Sequence, residues 1–153
     1  MNRILISKEL YDRQITKKFV KETAEKILKE LGLDGCELSI TLTDNDTIHR
    51  INREWRGKDK PTDVLSFPID EKHPGYRYRV LGDVVISLPY AKKQAEEIGI
   101  PYRDEIVRLL THGILHLLGY DHEKDPAEAK RMFALQDKIF EKITSSRIQQ
   151  EDS

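Results

Sequence analysis

The 153-residue sequence predicts an α+β domain: a small mixed β-sheet packed with about five helices. Three observations lead there. Apolar spacing along the chain reads β-α-β-α-β-β-α-α-α, with short strands set among helices but without the strict βαβ alternation of a doubly wound sheet. The length suits one domain with one core, spanning residues 1–153. Apolar residues make up 38% and mean hydropathy is −0.61, enough aliphatic side chains for a core in a chain with no membrane-length apolar run.

Each element has its own signal. Residues 3–7 form a short strand candidate. Residues 12–31 read as a helix, with Ile15, Phe19, Ala24, Ile27, Leu28 and Leu31 on one stripe and Gly32 at its end. Residues 37–43 alternate, placing Leu38, Ile40 and Leu42 on one face of a half-buried strand. Thr43 or Asp44 caps the next helix, in which Ile48, Ile51 and Trp55 face inward. Residues 57–63 are a charged loop. Residues 64–67 form a strand that Pro68 stops, and residues 71–79 a polar, aromatic and mobile loop. Residues 80–88 are a second hydrophobic strand, followed by a helix from about 89 to 98. Pro101 opens a helix from about 102 to 118, whose Ile106, Val107, Leu109, Leu110, Ile114, Leu115, Leu117 and Leu118 leave only one side for polar groups. Asp125, Pro126 and Glu128 are a helix start, and this last helix runs to about Ser145, leaving residues 146–153 as a frayed tail.

The helix starting near residue 102 carries the chemistry. His112, His116 and His122 fall within eleven residues. His112 and His116, four apart, project from one helix face. Gly119 lets the backbone leave the helix, and the chain returns with His122. Three neutral imidazoles on a tetrahedral ion leave a fourth position open, the pattern of a catalytic zinc. The spacing is that of the zinc-protease signature HExxHxxGxxH, except that Gly113 replaces the glutamate that serves there as general base. The metal cage is present without the protease base. His49, on a polar helix, and His73, in a polar loop, read as solvated.

A second cluster, Arg53, Arg56, Lys58 and Lys60, lies beside Gly57 and Pro61 and leads into a strand. Such a loop either holds a phosphate through charge and bidentate hydrogen bonds or is a solvated surface paired with Glu54, Asp59 and Asp63. Asp83 enters a hydrophobic strand, where a carboxylate is costly unless paired. Asp83 and Asp121 each read either as a partner orienting a metal-bound histidine or as a turn cap. Tyr76, Tyr78 and Trp55 are candidates to stack unpaired bases, although the spacing of Trp55 from Ile48 and Ile51 places it in the core.

Twenty-six basic against 27 acidic residues leave a net charge of −1, so an RNA contact needs a local patch. One cysteine, Cys36, excludes an internal disulfide. With no signal peptide in residues 1–8, a cytoplasmic protein is expected. Nothing in the sequence specifies an oligomer.

Taken together, RGKDKPTDVLSFP at residues 56–68, LGDVVIS at 81–87 and HGILHLLGYDH at 112–122 resemble the three signature blocks of the YbeY family of bacterial rRNA maturation factors. The blocks come in order, and the resemblance extends over nearly the whole chain. It implies a metal-dependent, single-strand-specific endoribonuclease acting in late 16S ribosomal RNA processing (3′-end maturation) and ribosome quality control. It further implies one zinc ion per chain held by His112, His116 and His122, a functional arginine at Arg56, RNA contacts from Arg53, Lys58 and Lys60, and ribosomal RNA and the small ribosomal subunit as partners, with no membrane. Two other readings fit the residues: an assembly factor that binds RNA around a structural metal, and a metallohydrolase of another substrate such as a peptide.

Overall fold

The computed structural model describes residues 1–123 and 125–152, the last seven by backbone alone. The elements are β1 (Arg3–Lys8), α1 (Lys17–Glu30), β2 (Cys36–Thr43), α2 (Asn45–Arg56), β3 (Val64–Glu71), β4 (Arg79–Ser87), α3 (Leu88–Ile98), α4 (Tyr102–Leu117) and α5 (Pro126–Asp152). The order matches the sequence expectation, and the class is α+β. The strands form one mixed sheet, β1-β2-β4-β3. β1 and β2 are parallel, β2 and β4 are parallel, and β3 runs antiparallel to β4 at the edge. No helix among the described residues is long and apolar enough to cross a membrane.

Strand alternation splits the interior in two. Leu38, Ile40 and Leu42 of β2 and Val84 and Ile86 of β4 join α1, α4 and α5 in the main core. Val85 and Leu65 point to the other face and meet Ile48 of α2 in a smaller cluster, with Ile51 and Phe67 packed on it. α4 is the central helix: twelve of its residues are buried, among them Ile106, Leu110, Ile114 and Leu117. Asp104 and Glu105 in its first turn suit the positive end of the helix dipole.

Four local expectations are corrected, and the choice of cap for α2 is settled. The helix expected over residues 12–31 begins only at Lys17, because Asp12 folds a turn first: its Oδ1 accepts from the backbone N–H of Gln14 and Ile15. Thr16 then caps α1, and Asp44 rather than Thr43 caps α2. Pro68 does not stop β3, which continues to Glu71 with Pro68 opposite Gly82. An edge strand tolerates proline because an outward position has no ladder bond to lose. Trp55 is not core: its side chain is 73% exposed, resting edge-on against Phe67 at 6.1 Å. α5 continues beyond Ser145 to Asp152. The expected fraying falls on residues 146–153, whose side chains lie outside the described residues.

Gly82 shows what the second signature block is for. Its φ is +137°, and a Cβ there would sit 2.3 Å from the Phe67 carbonyl oxygen and 3.1 Å from Leu117. Only glycine lets β3, β4 and α4 come together at this point.

Candidate metal centre

α4 presents His112 and His116 on its half-buried side, and Gly119 (φ +97°) turns the chain out of the helix so that His122 returns. The nitrogens converge: His116 Nε2 lies 3.2 Å from His112 Nε2 and 3.1 Å from His122 Nδ1. Ligands on a tetrahedral ion at zinc–nitrogen distances of about 2.0 Å stand about 3.3 Å apart, so the donor set fits such an ion. The three residues form a group able to hold a metal. Burial, reinforced by the neighbouring rings of His112 and His122, holds His116 down to about 4. Burial lowers His112 as well, against the pull of its hydrogen bond to Gln136. Both rings are therefore neutral at neutral pH with lone pairs available to a cation.

Gln136 is a partner that the sequence reading missed. Its Oε1 lies 2.7 Å from His112 Nδ1, and the residue is 3% exposed. An Nδ1–H donated to this oxygen leaves Nε2 directed at the other histidines. The signal was present: Gln136 interrupts the buried stripe Met132, Ile139 and Ile143 of α5. Phe133, one turn earlier, stacks on His112 at 6.2 Å and lies 5.7 Å from His122.

Gly113 faces the sheet. A Cβ there would come within 2.8 Å of Val84 Cγ1 and 3.2 Å of Ser66 Oγ, and its carbonyl accepts from Ser66 Oγ at 3.0 Å. The position lacks space for any side chain, which accounts for the missing glutamate.

The histidines line an open cleft of about 390 Å³ together with Arg56, Asp121, Glu123 and residues 62–66 and 68 of the β3 edge. Arg56, at the end of α2, thus lines the same cleft as the histidines. Asp121 also lines the cleft, where its Oδ1 accepts from the Glu123 N–H at 2.8 Å. Asp63, absent from the sequence-based site, lines it too and is anchored by Gln94 Nε2 at 3.0 Å. Arg53, in the last turn of α2, and Lys58 and Lys60, on the loop that follows, are exposed but do not line the cleft. The buried Asn52 shapes that loop, its side-chain Nδ2 donating to the Lys60 carbonyl at 2.9 Å and its backbone carbonyl accepting from the Lys58 N–H at 3.3 Å. Asp83 alternates with Val84 and so points to the face opposite α4, away from the histidines. Tyr76 bonds Glu37 and packs edge-on against Tyr78 outside the cleft. His49 is not simply solvated, since it pairs with Asp59 at 2.8 Å, and His73 pairs with Glu71 at 2.7 Å.

The sequence model described as Endoribonuclease YbeY matches residues 5–144. Proteins named Endoribonuclease YbeY from Persephonella marina and from a Sulfurihydrogenibium species are 77% and 69% identical to this chain. The first match covers 95% of each chain, the second 94% of this one and 93% of the relative. The solution structure of TM1509 from Thermotoga maritima superposes with a TM-score of 0.67 at 29% identity, covering 100% of this chain and 97% of that one. With the first and third signature blocks lining one cleft, and relatives of this name matching nearly the whole chain, the chain belongs to the YbeY family.

Proposed function

We propose that this chain is a zinc-dependent, single-strand-specific endoribonuclease that acts in late 16S ribosomal RNA processing, at 3′-end maturation, and in ribosome quality control. Ribosomal RNA and the small ribosomal subunit are its partners, and the cytoplasm is where it works. Relatives at up to 77% identity carry the endoribonuclease name. One observation carries the chemistry: Arg56 and the three histidines line the same cleft although His112 lies 56 positions after Arg56.

His112, His116 and His122 would hold the ion. When bound, zinc lowers the pKa of a water ligand to about 7 and polarises a phosphoryl oxygen. Gln136 keeps the His112 ring in the orientation that presents Nε2. Arg56 offsets the negative charge that grows on the phosphoryl group in the transition state. Gly113 contributes no base, and its position against the sheet denies one to any substituted side chain, which disfavours the peptidase alternative. The open cleft and the basic residues 53, 58 and 60 beside it suit a flexible strand better than a duplex.

Metal analysis tests the first half: about one zinc per chain in the wild type, lost in His116→Ala. Kinetics test the second. Arg56→Ala lowers turnover at saturating RNA by about 10²–10³-fold with zinc retained. A binding-only role for Arg56, as in the assembly-factor reading, would instead raise KM and leave turnover alone. A 2′,3′-cyclic phosphate product would show that the ribose hydroxyl is the attacking group.

A further inference from the structure

We infer that the backbone N–H of Ser66 is a phosphate-binding donor of this cleft, holding a non-bridging oxygen of the phosphodiester opposite Arg56. The inference rests on the nuclease reading above and follows from the sheet register. In an antiparallel pair, alternate residues exchange both backbone hydrogen bonds with the partner strand, and those between direct theirs outward. Ser87 N–H donates to the Asp63 carbonyl at 3.0 Å, marking that pair as bonded. Stepping along the register, Leu65 opposite Val85 and Phe67 opposite Asp83 are the next bonded pairs. Val64, Ser66 and Pro68 therefore turn their backbone groups off the sheet, where β3 has no neighbouring strand among the described residues. All three line the cleft with the histidines.

Of those three positions, one offers a donor. The Val64 N–H is taken by Asp63 Oδ1 at 2.7 Å, and Pro68 has none. The Ser66 side chain is turned towards α4, donating to the Gly113 carbonyl, so its hydroxyl is occupied and its N–H faces the cleft. That link also ties the strand edge to the helix between His112 and His116, which sets the donor's position relative to the ligands before substrate arrives. A preorganised backbone N–H of this kind stabilises developing charge without reorganisation.

The test follows the Ser66 amide by nitrogen-15 NMR in the zinc-loaded protein, titrated with a 2′-deoxy single-stranded oligonucleotide and, separately, with inorganic phosphate. A downfield Ser66 shift that saturates with the oligonucleotide is expected, with a weaker response to phosphate. A response to phosphate alone would mean an anion site that no nucleic-acid backbone reaches, and would overturn the assignment. Ser66→Pro deletes the N–H at an outward edge position of the kind Pro68 already occupies, whereas Ser66→Ala keeps it. Turnover of Ser66→Pro at saturating RNA should fall at least about tenfold below that of Ser66→Ala, with zinc content equal in both. Equal turnover in the two variants, or a Ser66 amide unmoved while signals around Arg56 shift, overturns the proposal. If Ser66→Pro does not fold, the titration decides. RNA cleaved with Ser66 unmoved sinks this inference and spares the nuclease reading; Ser66 shifted by the oligonucleotide with RNA left uncut does the reverse. No binding of the strand at all sinks both.

Discussion

Two residues show how side-chain size and polarity set this site. Gly113 sits where a methyl group would overlap Val84, so Gly113→Ala must push α4 off the sheet. A destabilisation of about 1–3 kcal/mol is expected by denaturant unfolding, together with weaker metal binding because His112 and His116 move with the helix. Gln136 touches His112 and does not line the cleft. Gln136→Leu keeps the buried volume but removes the acceptor for His112 Nδ1. Zinc affinity measured by chelator competition should fall about 10–100-fold, with little change in turnover once the site is saturated with metal.

α4 is both the core of the fold and the carrier of His112 and His116, and its first two turns hold an ion pair between a buried carboxylate and a half-buried arginine. Glu105 is fully buried, with Arg108 Nε 2.6 Å and Nη2 2.5 Å from its Oε1. Burial pushes the Glu105 carboxyl up, and Arg108 pulls it back. Removing the cation leaves a buried carboxylate with only the weaker pull of Gln94. Arg108→Ala should lose about 3–5 kcal/mol near pH 7. A raised carboxyl pKa costs stability only where the group must ionise, so the penalty is full above the folded pKa and disappears below the unfolded value. The variant's deficit should therefore shrink towards pH ~4, near the unfolded glutamate pKa. A deficit independent of pH would assign the loss to packing of the arginine stem.

At the scale of the whole molecule, the connection between β1 and α1 is tied to the start of α4. Tyr102 Oη donates to Asp12 Oδ2 at 2.8 Å. Burial raises the Asp12 carboxyl, but the N–H groups of Ile15 and Gln14 and the Tyr102 hydroxyl outweigh it, so the net shift is downward. A depressed carboxyl contributes stability that is fully present above its unfolded pKa and lost as pH falls through the folded one. Thermal stability should accordingly decline on acidification below about pH 4, and less steeply in Asp12→Asn. The same closure carries the site: α2 brings Arg56, the sheet edge brings residues 62–66, and α4 with its following turn brings the histidines.

The element order and the histidine cluster were legible in the sequence because their signals are local. A strand or helix period needs only a few residues to show itself, and the three histidines share one helix and one glycine turn. Pairings across the fold were not legible. That Arg56 meets the histidines depends on where α2 ends above the sheet. That Gln136 orients His112 depends on α5 crossing α4. Proline at 68 and tryptophan at 55 were misread because a local pattern does not say which strand becomes an edge or which end of a helix overhangs the core. Those outcomes were decided by packing, where β3 takes the outer place beside β4 and leaves its backbone facing the cleft.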